Sequence, residues 1–330
     1  MRRLTLILSD LYLPEESVGD TVPRTYELPA LDWLLRKGDV RRIGDWRHWL
    51  LALAGGADSG QRLATLASRM TPADATVSDD WRAGAWIATP VHLEARLDHA
   101  RLVDGGLLRV DDAECQRWCE EFGRLFGPAY SLRPCGQRAF LLSGVAPVTV
   151  HTADPARLLG AEIGPALPGA EAPELRRLWT EIEMWLHGSA LNDARQGAGR
   201  RRITALWLWG NEKVLRSKHQ PDASDVAFQG GDPVMGGMTR ALSPDARAAS
   251  FAGLRALRPH EVVEFAPLTG EPRETLPALE ANWFAPARAA LAEGRLEYVQ
   301  VVANDRLFTV RPSARLKFWR RRRGWLESLA

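Results

Sequence analysis

Apolar and polar positions alternate along the chain in two distinct rhythms. LTLIL, residues 4 to 8, is a continuous apolar run bounded by polar residues, the mark of a short strand buried on both faces, and it delivers Asp10 just past its C-terminal end. LPALDWLLRKG, 28 to 38, instead spaces Leu31, Leu34 and Leu35 for one helical face and stops at Gly38. WRHWLLALAGG, 46 to 56, repeats that helical spacing and ends on a glycine pair. Strand, helix, helix is the opening of an α/β protein.

From Trp81 the texture changes. AWIATPVHLEARL predicts a strand around 85 to 93, and DDAECQRWCEEFGRLF an amphipathic helix over 111 to 126 capped by Asp111. RAFLLSG and VTVHT read as short strands, and ELRRLWTEIEMWLH as a helix over 174 to 187. Residues 80–187 are therefore expected to form an inserted α+β subdomain. ITALWLW (203–209), DVAFQGG (225–231), HEVVEFAPL (260–268) and LEYVQVV (296–302) return to the buried-strand texture. Helices over 233 to 242 and in ALEANWFAPARAALAEG, which Pro286 should kink, lie between them. The expected architecture is a discontinuous α/β core, 1–79 and 188–330, built on a mostly parallel sheet with helices on both faces.

Ligands of such sheets bind beyond the carboxyl ends of the strands. Asp10, Gly210-Asn211-Glu212, Gly230-Gly231-Asp232, Ala266 to Thr269 and Asn304-Asp305-Arg306 occupy those ends here. A two-metal phosphoryl-transfer site needs several carboxylates and histidines. No histidine ends any of the four later strands, and His260 begins its strand. The densest polar cluster is HGSALNDAR. Its His187, Asn192 and Arg195 suit a small anion, or else form a helix end at which Asn192 or Asp193 caps the next turn. Arg200, Arg201 and Arg202 follow it. Gly230-Gly231-Asp232-Pro233 reads as an anion nest at a helix start or as a plain turn. His92 and His99, seven apart, would share a face if helical.

A net charge of +2 and a pI near 8.5 give no footprint for nucleic acid, and no apolar run reaches membrane-spanning length. The tail RLKFWRRRRGW is the one strongly basic stretch. It is read as a solvated end, with a membrane or nucleic-acid adaptor as the competing use. Cys115, Cys119 and Cys135 fit no zinc spacing, and the first two stand four apart in a helix, so reduced thiols and a cytoplasmic location are expected. MRRLTLILSD is too poor in apolar residues for a secretory leader.

Four stretches in order resemble the archaeal-type cofactor-independent phosphoglycerate mutases of the alkaline phosphatase-like superfamily. ELPALDWLLRKG is similar to "TPNLDxLAxxG" following a strand that ends in an aspartate, here Asp10. HGSALNDARQGAGRRRITALWLWGNE resembles "VNxxRxxxGxxPANxxLxRGAG", with Asn192, Arg195 and Gly199 in register. DVAFQGGDPVMGGMTRAL resembles the next strand and the "xxIKGxA" helix. The L-W-x-W-G and W-x-x-x-P-V-H-L segments are also similar to proteobacterial phosphoglycerate mutase-like, RpfE-type regulatory proteins. The resemblance implies an alkaline phosphatase-like α/β fold and, for the second group, a regulatory association.

The departures from the mutase pattern bear on activity. The "GSD" nucleophile motif falls on Gly56-Ala57-Asp58, leaving Ser59 as the only substitute hydroxyl nearby. The "HxKxxDxxGH" metal segment falls on FAPLTGEPRETLP, and the "DH" pair on Asp305-Arg306. Asp10, Asp58 and Asp305 remain as remnant metal-ligand candidates. Trp209 takes the place of the "RG" arginine, replacing a charged phosphate clamp by an indole. The resemblance with these departures implies a protein that has lost catalysis and needs no cofactor, and that binds a protein partner or a small anionic ligand. The alternative is a manganese- or zinc-dependent mutase or phosphatase with a rearranged site that recruits Ser59 together with replacement ligands such as Asp10, Asp58, Asp232 and Asp305.

Overall fold

A computed structural model describes residues 2–12, 26–53, 62–70, 81–82, 84–96, 99–145, 150, 152–169, 171–211, 226–242, 250–253, 259–269, 272–303 and 305–316. The chain forms two compact units, Met1–Ala57 with Arg216–Gly230 and Leu242–Ala330, and Asp58–Leu215 with Gly231–Ala241. Among the described residues no helix is long and apolar enough to cross a membrane.

The first unit holds a six-stranded sheet. Its strands are β1 (Arg3–Leu8), β2 (Asp39–Arg42), β8 (Val226–Gln229), β9 (His260–Phe265), β10 (Tyr298–Ala303) and β11 (Arg306–Val310), in the order β2-β11-β10-β1-β9-β8. β8, β9, β1 and β10 run parallel, and β11 and β2 complete one side as antiparallel neighbours. Leu4 to Leu8 are all buried, so both faces of the central strand are covered, as the unbroken apolar run requires. This is the α/β class expected from the sequence.

One polar file crosses this sheet. His260 of β9 hydrogen-bonds Thr5 of β1 through Nε2 at 2.9 Å, Thr5 donates to Gln300 of β10 at 3.0 Å, and Gln300 donates to Thr309 of β11 at 3.2 Å. Thr5 has one proton and gives it to Gln300, so its oxygen accepts from a neutral His260. Desolvation first, and the Arg3 charge second, push the His260 pKa down to about 4.

Helix α1 (Pro29–Lys37) buries Leu31, Leu34 and Leu35, the face expected of it. Leu28 offers no side-chain cap; the Glu280 carboxylate accepts from the N–H groups of Ala30 at 2.6 Å and Leu31 at 3.2 Å instead. Glu280 opens a π-helical turn, Glu280–Phe284, joining Pro272–Leu279 to Ala285–Ala292. The irregularity expected from Pro286 thus takes the form of a widened turn just ahead of it. Helix α2 (Trp46–Leu53) lies in the same unit.

The second unit carries an antiparallel sheet of β3 (Trp86–Ala95), β4 (Ala100–Leu107), β5 (Ser131–Pro134), β6 (Phe140–Ser143) and β7 (Ala205–Trp209). At Ile87 and Ala88, β3 pairs with both β6 and β7, and at Val91 with both β4 and β7. β7 therefore lies along one edge of β3, while β6 and β4 share the other. Helix α3 (Leu63–Ala67) is followed here by α4 (Asp112–Phe126), α5 (Pro173–Gly188), α6 (Ala190–Gly197) and α7 (Pro233–Leu242), whose last residue falls in the first unit.

Trp86 and Ala88 of β3 and Leu206 and Leu208 of β7 share a buried cluster with Trp118 and Phe122 of α4 and Leu178, Ile182 and Leu186 of α5. That shared apolar face is why 188–215 belongs with the antiparallel sheet. From the sequence alone this segment is expected in the parallel core, because a fully buried run carries no mark of which sheet it joins; its pairing with β3 assigns it to the antiparallel sheet. VTVHT lies partly outside the described residues.

Candidate functional site

The carboxyl rim of the parallel sheet brings Asp10 and Asp305 to one edge. β1 and β10 are neighbours with Ile7 opposite Val302, and each aspartate follows its strand by the same interval. Asp10 is buried, and its Oδ2 accepts from the Leu268 N–H at 2.9 Å and the Thr269 hydroxyl at 2.7 Å. Ser9, also buried, donates to the Glu264 carboxylate and contacts the Phe265 carbonyl. Acid and hydroxyl groups of β1 and β9 thus interlock across the parallel pair. Asp305 is half-exposed in the β10–β11 turn at φ 60°, and its carbonyl accepts from the Ile43 N–H at 2.9 Å. Asp58 and Ser59 lie outside the described residues.

Asp10 Oδ2 is engaged by two donors, and among the described residues no three His, Cys, Asp or Glu side chains converge as a metal cage. Thr269 belongs to the strand-end stretch expected from the sequence, whereas Glu264 and Ser9 are additions of the structure. The available signal was Glu261 and Glu264 inside the otherwise apolar HEVVEF, since buried acids need partners.

The second locus is in the other unit. Asn192 and Arg195 lie on α6, both buried, and are brought together with Glu114 of α4 and the backbone of 201–203. The Asn192 amide donates to the carbonyls of Leu186 at 2.7 Å and Ile203 at 2.8 Å, and its oxygen accepts from the Ile203 N–H at 2.8 Å. Arg195 Nη1 meets Glu114 Oε1 at 2.5 Å, with both side chains under 5% exposed, and Arg195 Nε donates to the Arg201 carbonyl at 2.8 Å. Arg200 bridges Glu114 Oε2 at 3.0 Å and Asp111 at 3.1 Å. His187 stands apart: it is exposed at the end of α5, and its carbonyl accepts from Arg202, which also pairs with Asp193 at 2.6 Å.

The helix starts here are filled from within the chain. Asp111 accepts from the Glu114 N–H at 2.8 Å, as expected, and that bond is the first cause of its lowered pKa. The cap of α6 is Ser189, at 3.2 Å from the Leu191 N–H, and not Asn192 or Asp193 as the sequence suggests. Asp232 turns its carboxylate onto the N–H groups of Val234 and Met235, so the glycine-rich turn before α7 already holds a carboxylate at its helix start.

Trp209 is buried, and its indole N–H donates to Thr89 Oγ1 at 2.9 Å, across the β3–β7 pair. The next residue, Gly210, has φ +83°, and a Cβ there would sit 2.9 Å from the Ile87 side chain. The Trp-Gly pair therefore pins and ends an antiparallel strand. His92 is on β3, with Nδ1 at 2.9 Å from the Arg202 carbonyl, and His99 immediately precedes β4, so the two share a hairpin and no helix face. The three cysteines are free, and burial, followed by neighbouring acids, raises Cys115 to about 12.

No family model and no curated protein matches the chain. Two solved structures are similar over most of it. The cofactor-independent phosphoglycerate mutase from Thermoplasma acidophilum is 17% identical, with 94% of this chain and 89% of that one covered and a TM-score of 0.35. The PH0037 protein from Pyrococcus horikoshii is 13% identical, with coverage of 94% and 87% and a TM-score of 0.43. Likeness at this level bears on neither substrate nor mechanism.

Proposed function

We propose that this chain is a phosphoglycerate mutase-like protein that no longer transfers phosphoryl groups and acts by binding, as a regulatory protein for a protein partner or a small anion. The observation that carries the reading is the buried Arg195–Glu114 pair at 2.5 Å. Arg195 is the arginine in register with the mutase stretch. Here a carboxylate of the chain itself occupies the bonds a phosphate would take. Asn192, in register beside it, spends its amide on the backbone of Leu186 and Ile203. The motif departures at Gly56-Ala57-Asp58 and at Asp305-Arg306 agree with that reading.

The competing reading, a metal-dependent mutase or phosphatase with a rearranged site, draws on the buried Ser9, Asp10, Glu264 and Thr269 group. Elemental analysis of the purified protein, followed by assay of a chromogenic phosphate monoester with added manganese or zinc, separates the two. A binding protein gives substoichiometric metal and hydrolysis at the blank rate. Stoichiometric metal with turnover abolished by Asp10→Ala would establish the enzyme.

A further inference from the structure

The amino ends of the parallel strands carry a polar row of their own. Arg3 of β1 stands opposite Tyr298 of β10 on one side and His260 of β9 on the other, and directly opposed residues share a face of the sheet. Val299 pairs with Val310, so Arg311, one residue past the end of β11, follows on beside Tyr298, and its charge acts on that phenol. Two guanidinium groups thus flank one phenol at the rim opposite Asp10. Arg3 has 47% of its side chain exposed, Arg311 is exposed and Tyr298 is half-buried. His260 is buried at the end of the row, its ring edge-on to Tyr298 at 6.1 Å. Burial raises the Tyr298 pKa over the opposing pull of Arg3 and Arg311, so the phenol keeps its proton and can donate it.

We propose that Arg3, Tyr298 and Arg311 form a binding site for a phosphate-class oxyanion at the amino rim of the sheet. Neighbouring strands lie about 4.8 Å apart, so the two arginines, with β10 between them, start about 10 Å apart. Their side chains can then close from both sides on one tetrahedral anion lying over the phenol. Each offers paired N–H groups that match two phosphate oxygens, and the Tyr298 O–H is a further donor. Glu297 faces this row and pairs with Arg3 at 3.5 Å, with 39% of its side chain exposed. It can offset only one of the two positive charges, and exposed pairs of that kind contribute little. An anion that engages both arginines at once therefore outcompetes it. The site does not depend on the loss of catalysis proposed above.

Calorimetric titration of the full chain with inorganic phosphate near neutral pH, against sodium chloride of equal ionic strength, tests this. Saturable binding with a Kd of about 1 mM is expected for a few charge-assisted contacts, with no such binding of chloride. Arg3→Gln and Arg311→Gln should each weaken it about tenfold and Tyr298→Phe about threefold, with Arg311→Lys milder than Arg311→Gln. Both arginines are exposed, so circular dichroism should be unchanged in these variants. The NMR signals of the His260 ring, assigned by their loss in His260→Gln, should shift with the same midpoint, because an anion on Arg3 offsets the charge beside the imidazole. Absence of phosphate binding overturns the proposal. So does binding that survives Arg3→Gln combined with Arg311→Gln, which would place the anion elsewhere, or binding that leaves the His260 signals unmoved.

Discussion

Two buried polar groups among the described residues balance their charge differently. In the antiparallel unit, Glu114 faces the guanidinium groups of Arg195 and Arg200, and the remaining Arg195 donors reach backbone carbonyls. At the rim of the parallel sheet, Asp10 and Glu264 are held by hydroxyl groups and a backbone N–H. The first joins opposite charges, and in the second hydroxyl and backbone N–H donors engage the acids. A phosphoryl-transfer site needs the reverse arrangement, with cationic donors aimed at an incoming anion and carboxylates aimed at metal ions. Here the chain's cation holds its own acid, and a rim acid holds its own backbone.

The largest effect should come from opening the charge-balanced group. Arg195→Ala leaves Glu114 buried with half its cationic partners gone and should cost about 3–5 kcal/mol in urea denaturation. Pairing Arg195→Leu with Glu114→Gln should cost clearly less than the two single changes summed, and simple additivity would refute the coupling. At the rim, Asp10→Ala strands the buried Leu268 N–H and should cost about 1–3 kcal/mol. Thr269→Val, which removes one donor and keeps the volume, should cost about 1 kcal/mol. If Asp10→Ala instead stabilises the fold, the rim acid is held against its solvation preference and the comparison fails.

A smaller and graded effect belongs to His260. Its folded pKa, about 4, lies below the ordinary value near 6.5, so the unfolded chain takes up the proton first. Its contribution to stability is complete above pH 6.5 and falls as pH drops toward 4, by up to about 1.4 kcal/mol per unit. His260→Gln should flatten that part of the stability–pH curve, an outcome readable from thermal melts at pH 4.5, 5.5 and 7. Smallest is Asp232→Ala at the start of α7, worth about 1 kcal/mol as a lost cap.

Element type was largely legible in the sequence, because apolar spacing reports which faces are buried. LTLIL, the Leu31-Leu34-Leu35 face and the Asp111 cap all emerge close to where periodicity and capping place them. Sheet membership was not. ITALWLW is buried whichever sheet it joins, and only its pairing with β3 assigns it. The partners of the polar residues were hidden for a related reason. Arg195 and Glu114 are 81 positions apart, and Asp10 and Thr269 are 259 apart, so no local spacing announces either contact. Glu280 at the start of α1 is the same case: a helix without a local cap borrowed one from 250 residues away.

The most direct test of the central claim is phosphorus NMR of 3-phosphoglycerate incubated with the purified full chain, with and without manganese. The account predicts a single unchanged resonance over a day in both samples. Growth of a 2-phosphoglycerate or inorganic phosphate signal that needs manganese and disappears in Asp10→Ala would contradict it.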